Sequence, residues 1–165
     1  MTVADDKPMT ARDLGLMQGS PPADDKQVTI ENFPEPPYNR WSLQHLRELV
    51  PTRSVAPGET VASVEHRPVD LGPLEVAFPD GRTVTVDDWL ESAYTDGFIV
   101  LHRGEVVYER YFNDQTPATQ HLMYSVTKSF TGTLLLMLIE QGRVGGNAPV
   151  AEYLPELEKT AFGDA

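Results

Sequence analysis

Ser125 and Lys128 are the two residues whose types and spacing are best suited to chemistry. They lie in Tyr124-Ser125-Val126-Thr127-Lys128-Ser129-Phe130, ahead of the apolar stretch from Thr131 to Ile139. Residues three apart at the mouth of a helix sit one turn apart on the same face. A serine hydroxyl is a poor nucleophile until a base takes its proton. A lysine amine serves as that base only when neutral, and burial and the positive end of a helix both lower the pKa of an amine. An amide at the same helix entrance can also face the oxyanion of a tetrahedral intermediate. The plain structural alternative makes Ser125 a helix cap and Lys128 a solvated first-turn residue. Two features favour chemistry: the match is the only Ser-x-x-Lys in the chain, and it opens a segment apolar on nearly every side.

Other chemistries find less support. No serine lies in Gly-x-Ser-x-Gly, so the nucleophile elbow of Ser-His-Asp hydrolases is missing. His45, His66, His102 and His121 show no metal-ligand spacing, and there is no cysteine for a thiolate, a disulfide or a metal site. His121, in the loop before Ser125, reads as a surface residue rather than a pocket residue. Asp87-Asp88 reads as a helix start, and Trp41 and Trp89 as packing anchors. With no phosphate-binding glycine loop either, no cofactor and no metal is expected.

Composition narrows the partners. Among 165 residues, 25 acidic against 13 basic side chains leave a net charge of −12. That balance argues against nucleic acid or an anionic membrane as the main partner and is read as solubility. The longest apolar run, Leu134 to Ile139, is too short to span a bilayer, and Met1 to Gln27 lacks the apolar core of a secretory signal. A cytoplasmic protein is the expectation.

The elements that must position Ser125 and Lys128 follow from pattern and punctuation. Residues 1–28, acidic and aperiodic with Asp5, Asp6, Asp13, Asp24 and Asp25, read as a disordered or loosely docked arm. Phe33 to Trp41 reads as an extended, proline-stiffened segment. Ser42 is the expected cap of a short helix over Leu43–Leu49, ended by Pro51. Thr52 to Pro79 reads as a surface loop, Asp80-Gly81 as a turn and Thr83–Val86 as a strand. Asp87 is the expected cap of a helix reaching Tyr94 or Thr95. Phe98–Leu101 and Val106–Phe112 form a hairpin about Arg103-Gly104, with Gly97 opening it. A long helix runs from about Ser125 to Gln141, with Gly142 as its left-handed cap. Being apolar all round, that helix is expected to be buried on most sides.

Ser125 to Phe130, Gly142-Arg143-Val144 and Ala148 to Glu156 together resemble the serine β-lactamase/penicillin-binding-protein superfamily, in its class C β-lactamase and esterase-like branch. The hairpin sequence, from Gly97 to Phe112, is similar to the strand pair preceding the nucleophile there. Glu35-Pro36-Pro37-Tyr38-Asn39-Arg40-Trp41, with His45-Leu46 and Leu49-Val50-Pro51, is similar to the N-terminal region of the 6-aminohexanoate-dimer hydrolases. The resemblance covers roughly residues 32 to 165. It implies an α/β (α+β) fold of β-lactamase/transpeptidase type, an antiparallel sheet with flanking helices, present as its N-terminal part over residues 29–165.

The resemblance further implies that Ser125 is the acylated nucleophile and Lys128 its activator, acting on a small-molecule amide or ester. The family's later Tyr-x-Asn and Lys-Thr-Gly elements have no counterpart in the required order. Tyr111-Phe112-Asn113 precedes the nucleophile and reads as structural, and Lys159-Thr160-Ala161 lacks the glycine. The chain therefore reads as a fragment with little activity alone. Related activities stand as alternatives: a β-lactamase or D-alanyl-D-alanine carboxypeptidase, a carboxylesterase, or a non-catalytic peptide-binding member of the same fold.

Overall fold

Trp41 organises the first of two units, which divide between Leu122 and Met123. The coordinates are a computed structural model describing residues 7–163. Trp41 packs with Leu16 and Val28 into one buried cluster, flanked by Leu14, Phe33, Tyr38 and Leu49. Leu16 and Val28 belong to the segment expected to be a loose arm. Over residues 7–28 that expectation is corrected: turns and a 3-10 turn at Asp24–Lys26 bring the two side chains inward. Each such burial is worth about 1.5–3 kcal/mol, enough to hold Leu16 and Val28 against Trp41 although the segment is otherwise mostly polar. Residues 1–6 of the arm, with Asp5 and Asp6, lie outside the described residues.

Helix α1 spans Asn39–Leu49 and presents Arg40, Trp41 and Ser42 to the interior. It starts earlier than the expected Leu43. The residues read as an extended segment form turns instead, with Asn39 N–H donating to Glu35 O and Phe33 N–H to Thr29 O. Ser42 lies inside α1 rather than at its cap, fully buried, and its hydroxyl donates to Phe33 O at 2.6 Å. The helix ends where Val50 turns extended ahead of Pro51, as the residue before a proline must.

Strands β1 (Glu75–Ala77) and β2 (Thr83–Thr85) pair antiparallel about a turn closed by Gly81, at φ +85°. β1 falls in a stretch expected to be loop. Helix α2 follows at Val86–Ser92. Strands β3 (Gly97–His102) and β4 (Glu105–Tyr111) form the expected hairpin, with a register shift between Val100 and Leu101. Arg103 at φ +53° and Gly104 at φ +86° give the two left-handed positions of a tight hairpin turn. β4 buries Val106 and Tyr108, and its other edge bonds to residues 65–69, again outside the expected strands.

Buried charge ties these pieces together. Arg40 Nη1 donates to Asp96 Oδ1 at 2.9 Å, with both side chains under a tenth exposed. Arg40 also donates to Met9 O and Tyr94 O, and Gln44 donates to Asn113 O. Asn113 accepts from Ala11 N–H and donates to Arg40 O. A buried ion pair is tolerable only when its remaining polar atoms are satisfied in this way. Trp89, expected as an anchor, is 38% exposed, whereas Trp41 is 8% exposed and stacks on His45.

The second unit holds helix α3 (Thr127–Glu140), the short helix α4 (Val150–Tyr153) and a 3-10 turn at Pro155–Leu157. Gly142, at φ +69°, closes α3: its N–H donates to Ile139 O, and Arg143 N–H reaches back to Leu138 O. That pair of bonds is the Schellman motif. Tyr153 Oη accepts from Gly145 N–H at 2.7 Å and pins the following loop to α4. Contrary to the expected burial, α3 buries none of its residues, with Phe130 and Leu134 each more than half exposed. Within residues 123–163, a four-residue helix and a few turns offer too little surface to cover a helix apolar on every side. No helix among the described residues is long and apolar enough to cross a membrane.

Candidate active site

Ser125 reaches its place through an unusual helix entry. Met123 is in the right-handed region, Tyr124 turns left-handed at φ +43°, and a 3-10 turn over Tyr124–Val126 leads into α3. Val126 N–H donates to Met123 O at 3.0 Å, and Thr127 N–H to Tyr124 O. Ser125 thus lies in the tight turn before the α-helix, two residues ahead of its first residue, rather than inside the helix expected to start at about Ser125. Lys128 stands in the first turn of α3.

The turn brings the two side chains together. Lys128 Nζ donates to Ser125 Oγ at 2.9 Å, and both residues are exposed. Other hydroxyls of α3 are spent on the backbone: Thr133 Oγ1 donates to Ser129 O at 2.8 Å and Thr131 Oγ1 leans on Thr127 O. No side chain caps the N-terminus of α3. Ser125 Oγ is therefore held by an amine rather than used as a cap, and the 2.9 Å separation is within the reach over which a hydroxyl passes its proton to an amine once the lysine is neutral. The Ser125 N–H precedes the first bonded amide of the turn, so it belongs to the unpaired donors of a helix start.

The remaining candidates separate from this pair. Asn113, from the literal Tyr-x-Asn match, spends its amide on Ala11 and Arg40, and Tyr111 Oη donates to Glu109. Asp87 lies in the first turn of α2 rather than at its cap; its carboxylate accepts from the Tyr108 hydroxyl and from Arg110 Nε. Burial, with Asp87 beside it, pushes the Tyr108 phenol up to about 12. His121 is exposed, as expected of a surface residue, and its Nε2 lies 3.1 Å from Asp96 Oδ2. The sequence offers no local signal for that pairing, because Asp96 lies 25 residues away. A cavity of about 690 Å³ in the first unit is lined by Pro36, Pro37, Arg40, Leu43, Tyr94 and Asp96. Among the described residues, no three acidic or histidine side chains converge as metal ligands.

Residues 86–165 match the Beta-lactamase family. The match takes in α2, the hairpin, the Ser125 turn and α3. A 6-aminohexanoate-dimer hydrolase of Paenarthrobacter ureafaciens is 36% identical over 155 residues, 93% of this chain. A Bacillus anthracis protein, solved under the name of a 6-aminohexanoate-dimer hydrolase, superposes with a TM-score of 0.80 at 32% identity over 87% of this chain. Over the part it spans, the chain has the β-lactamase-like fold of that structure, with helices and antiparallel strands. It spans 38% of the first relative's length and 37% of the second's.

Proposed function

We propose that the protein is a serine hydrolase that cleaves linear amides, with short oligomers of 6-aminohexanoate as its substrate class and Ser125 as the acylated residue. The observation that carries the proposal is the 2.9 Å bond between Lys128 Nζ and Ser125 Oγ at the mouth of α3. The substrate class is supported by the names of two relatives, 36% and 32% identical, that match along most of this chain.

In this reading Ser125 Oγ attacks the amide carbonyl carbon while neutral Lys128 takes the hydroxyl proton. The Ser125 N–H faces the oxyanion. The carbon–nitrogen bond then breaks, and Lys128 returns the proton to the leaving amine. Water hydrolyses the resulting ester, releasing a carboxylic acid and restoring the serine. A base positioned this way contributes about 10²–10⁴-fold.

Incubating the full-length protein that carries this chain with the linear 6-aminohexanoate dimer and following newly formed primary amine tests the reading; the 165 residues alone are expected to show little activity. One amine is expected per bond cleaved, with Ser125→Ala slower by about a thousandfold or more. Equal rates for wild type and Ser125→Ala, or no cleavage of the dimer, refute it.

A further inference from the structure

We infer that Tyr124 is a positioning residue for the acylation step, and that it acts through its left-handed backbone rather than through its ring. This inference rests on the reading of Ser125 as nucleophile. Six non-glycine residues among those described have positive φ: Met17, Tyr94, Arg103, Asn113, Asp114 and Tyr124. Most have an ordinary reason. Tyr94 follows the end of α2 and bonds back to it, Arg103 sits in the hairpin turn, and asparagine and aspartate tolerate this region. Tyr124 alone of the six opens a helical turn, as the first residue of the 3-10 turn that leads into α3.

The residue is 54% exposed, so side-chain packing does not account for the conformation. What the conformation does is visible one residue on. A helix entered from an extended residue offers that residue's side chain to the first amides, as Thr85 does at α2, where Oγ1 accepts from Asp88 N–H. At α3 the chain enters from right-handed Met123 through left-handed Tyr124. Ser125 falls inside the turn, cannot act as the cap, and presents Oγ to Lys128. An unfavourable backbone placed directly before a reactive hydroxyl is how folded proteins hold such groups ready.

The test is a series at Tyr124, each protein reacted with a fluorescent fluorophosphonate and also melted. Glycine adopts positive φ freely and asparagine tolerates it, whereas alanine pays for it and valine pays most. Tyr124→Gly and Tyr124→Asn are expected to keep the maximal labelling rate at Ser125 within about threefold of wild type, and Tyr124→Val to lose about tenfold, with the half-saturating reagent concentration unchanged throughout. Melting temperatures should follow the same order, with glycine at or above wild type and valine below it. Should the valine protein not fold, glycine labelling faster than alanine supports the inference and the reverse order overturns it. A wild-type rate for Tyr124→Val, or an equal fall for glycine, asparagine and valine, would assign any role to the ring and overturn it. A wild type that takes no label at Ser125 refutes the nucleophile reading instead. The melting order then decides the backbone claim alone, and a glycine protein less stable than wild type overturns it.

Discussion

Two helices of this chain start at a hydroxyl residue, and they use the hydroxyl in opposite ways. At α2, Thr85 is extended; its Oγ1 accepts from Asp88 N–H at 3.1 Å and donates to Asp88 Oδ2 at 2.7 Å. Both capacities of that oxygen are filled, and the helix gains a cap. At α3, no side chain caps the helix, and Ser125 Oγ meets only the Lys128 amine. Stability claims the first hydroxyl, whereas the second is left available for proton transfer. What separates them is the residue in front. An ordinary extended threonine makes a cap, and a left-handed tyrosine followed by a tight turn makes a presented serine.

Substitutions can break that contrast, beginning with the largest expected effect. Lys128→Ala should slow phosphonate labelling of Ser125 by about a thousandfold, with a change in unfolding free energy below about 0.5 kcal/mol because the side chain is exposed. Labelling kinetics and denaturant melts on the same preparation check both halves. Next comes the anchoring of α2. The raised Tyr108 phenol is neutral in the folded protein at pH values where it ionises in the unfolded chain. Its contribution to stability is therefore fully present below about pH 10 and lost as pH rises towards about 12. The stability difference between wild type and Tyr108→Phe should change by about 2 kcal/mol across that window; a difference flat from pH 9 to 12 would detach Asp87 from the hairpin. The smallest effect is the cap itself. Thr85→Ala should cost about 1 kcal/mol with labelling unaltered. Ser125→Ala should cost below about 0.5 kcal/mol, since no helix amide depends on it.

Local patterns in the sequence reached local structure well. The Arg103-Gly104 turn, the flanking strands, the end of α1 before Pro51 and the Gly142 cap of α3 each follow from a few adjacent residues. The Ser125–Lys128 pairing was legible for the same reason, as a matter of three-residue spacing on one turn. What escaped depends on contacts distant in the chain. Leu16 and Val28 look like isolated apolar residues in an acidic arm until Trp41 provides a surface for them. Asp96 is unremarkable until Arg40 and His121 converge on it. Residues 65–69 lack any alternating pattern and join β4 through backbone bonds that side-chain periodicity does not encode. The exposure of α3 also departs from its pattern, because an all-round apolar helix says what it needs and not what its own unit supplies.

The central claim is that Ser125 is the activated hydroxyl of this chain. The most direct measurement is the intact mass and peptide map of the purified protein after reaction with a fluorophosphonate. The account predicts one adduct, located on Ser125, absent from Ser125→Ala and strongly slowed in Lys128→Ala. An unmodified wild type, or an adduct on Ser129, Thr131 or Thr133 that persists in Ser125→Ala, would contradict it.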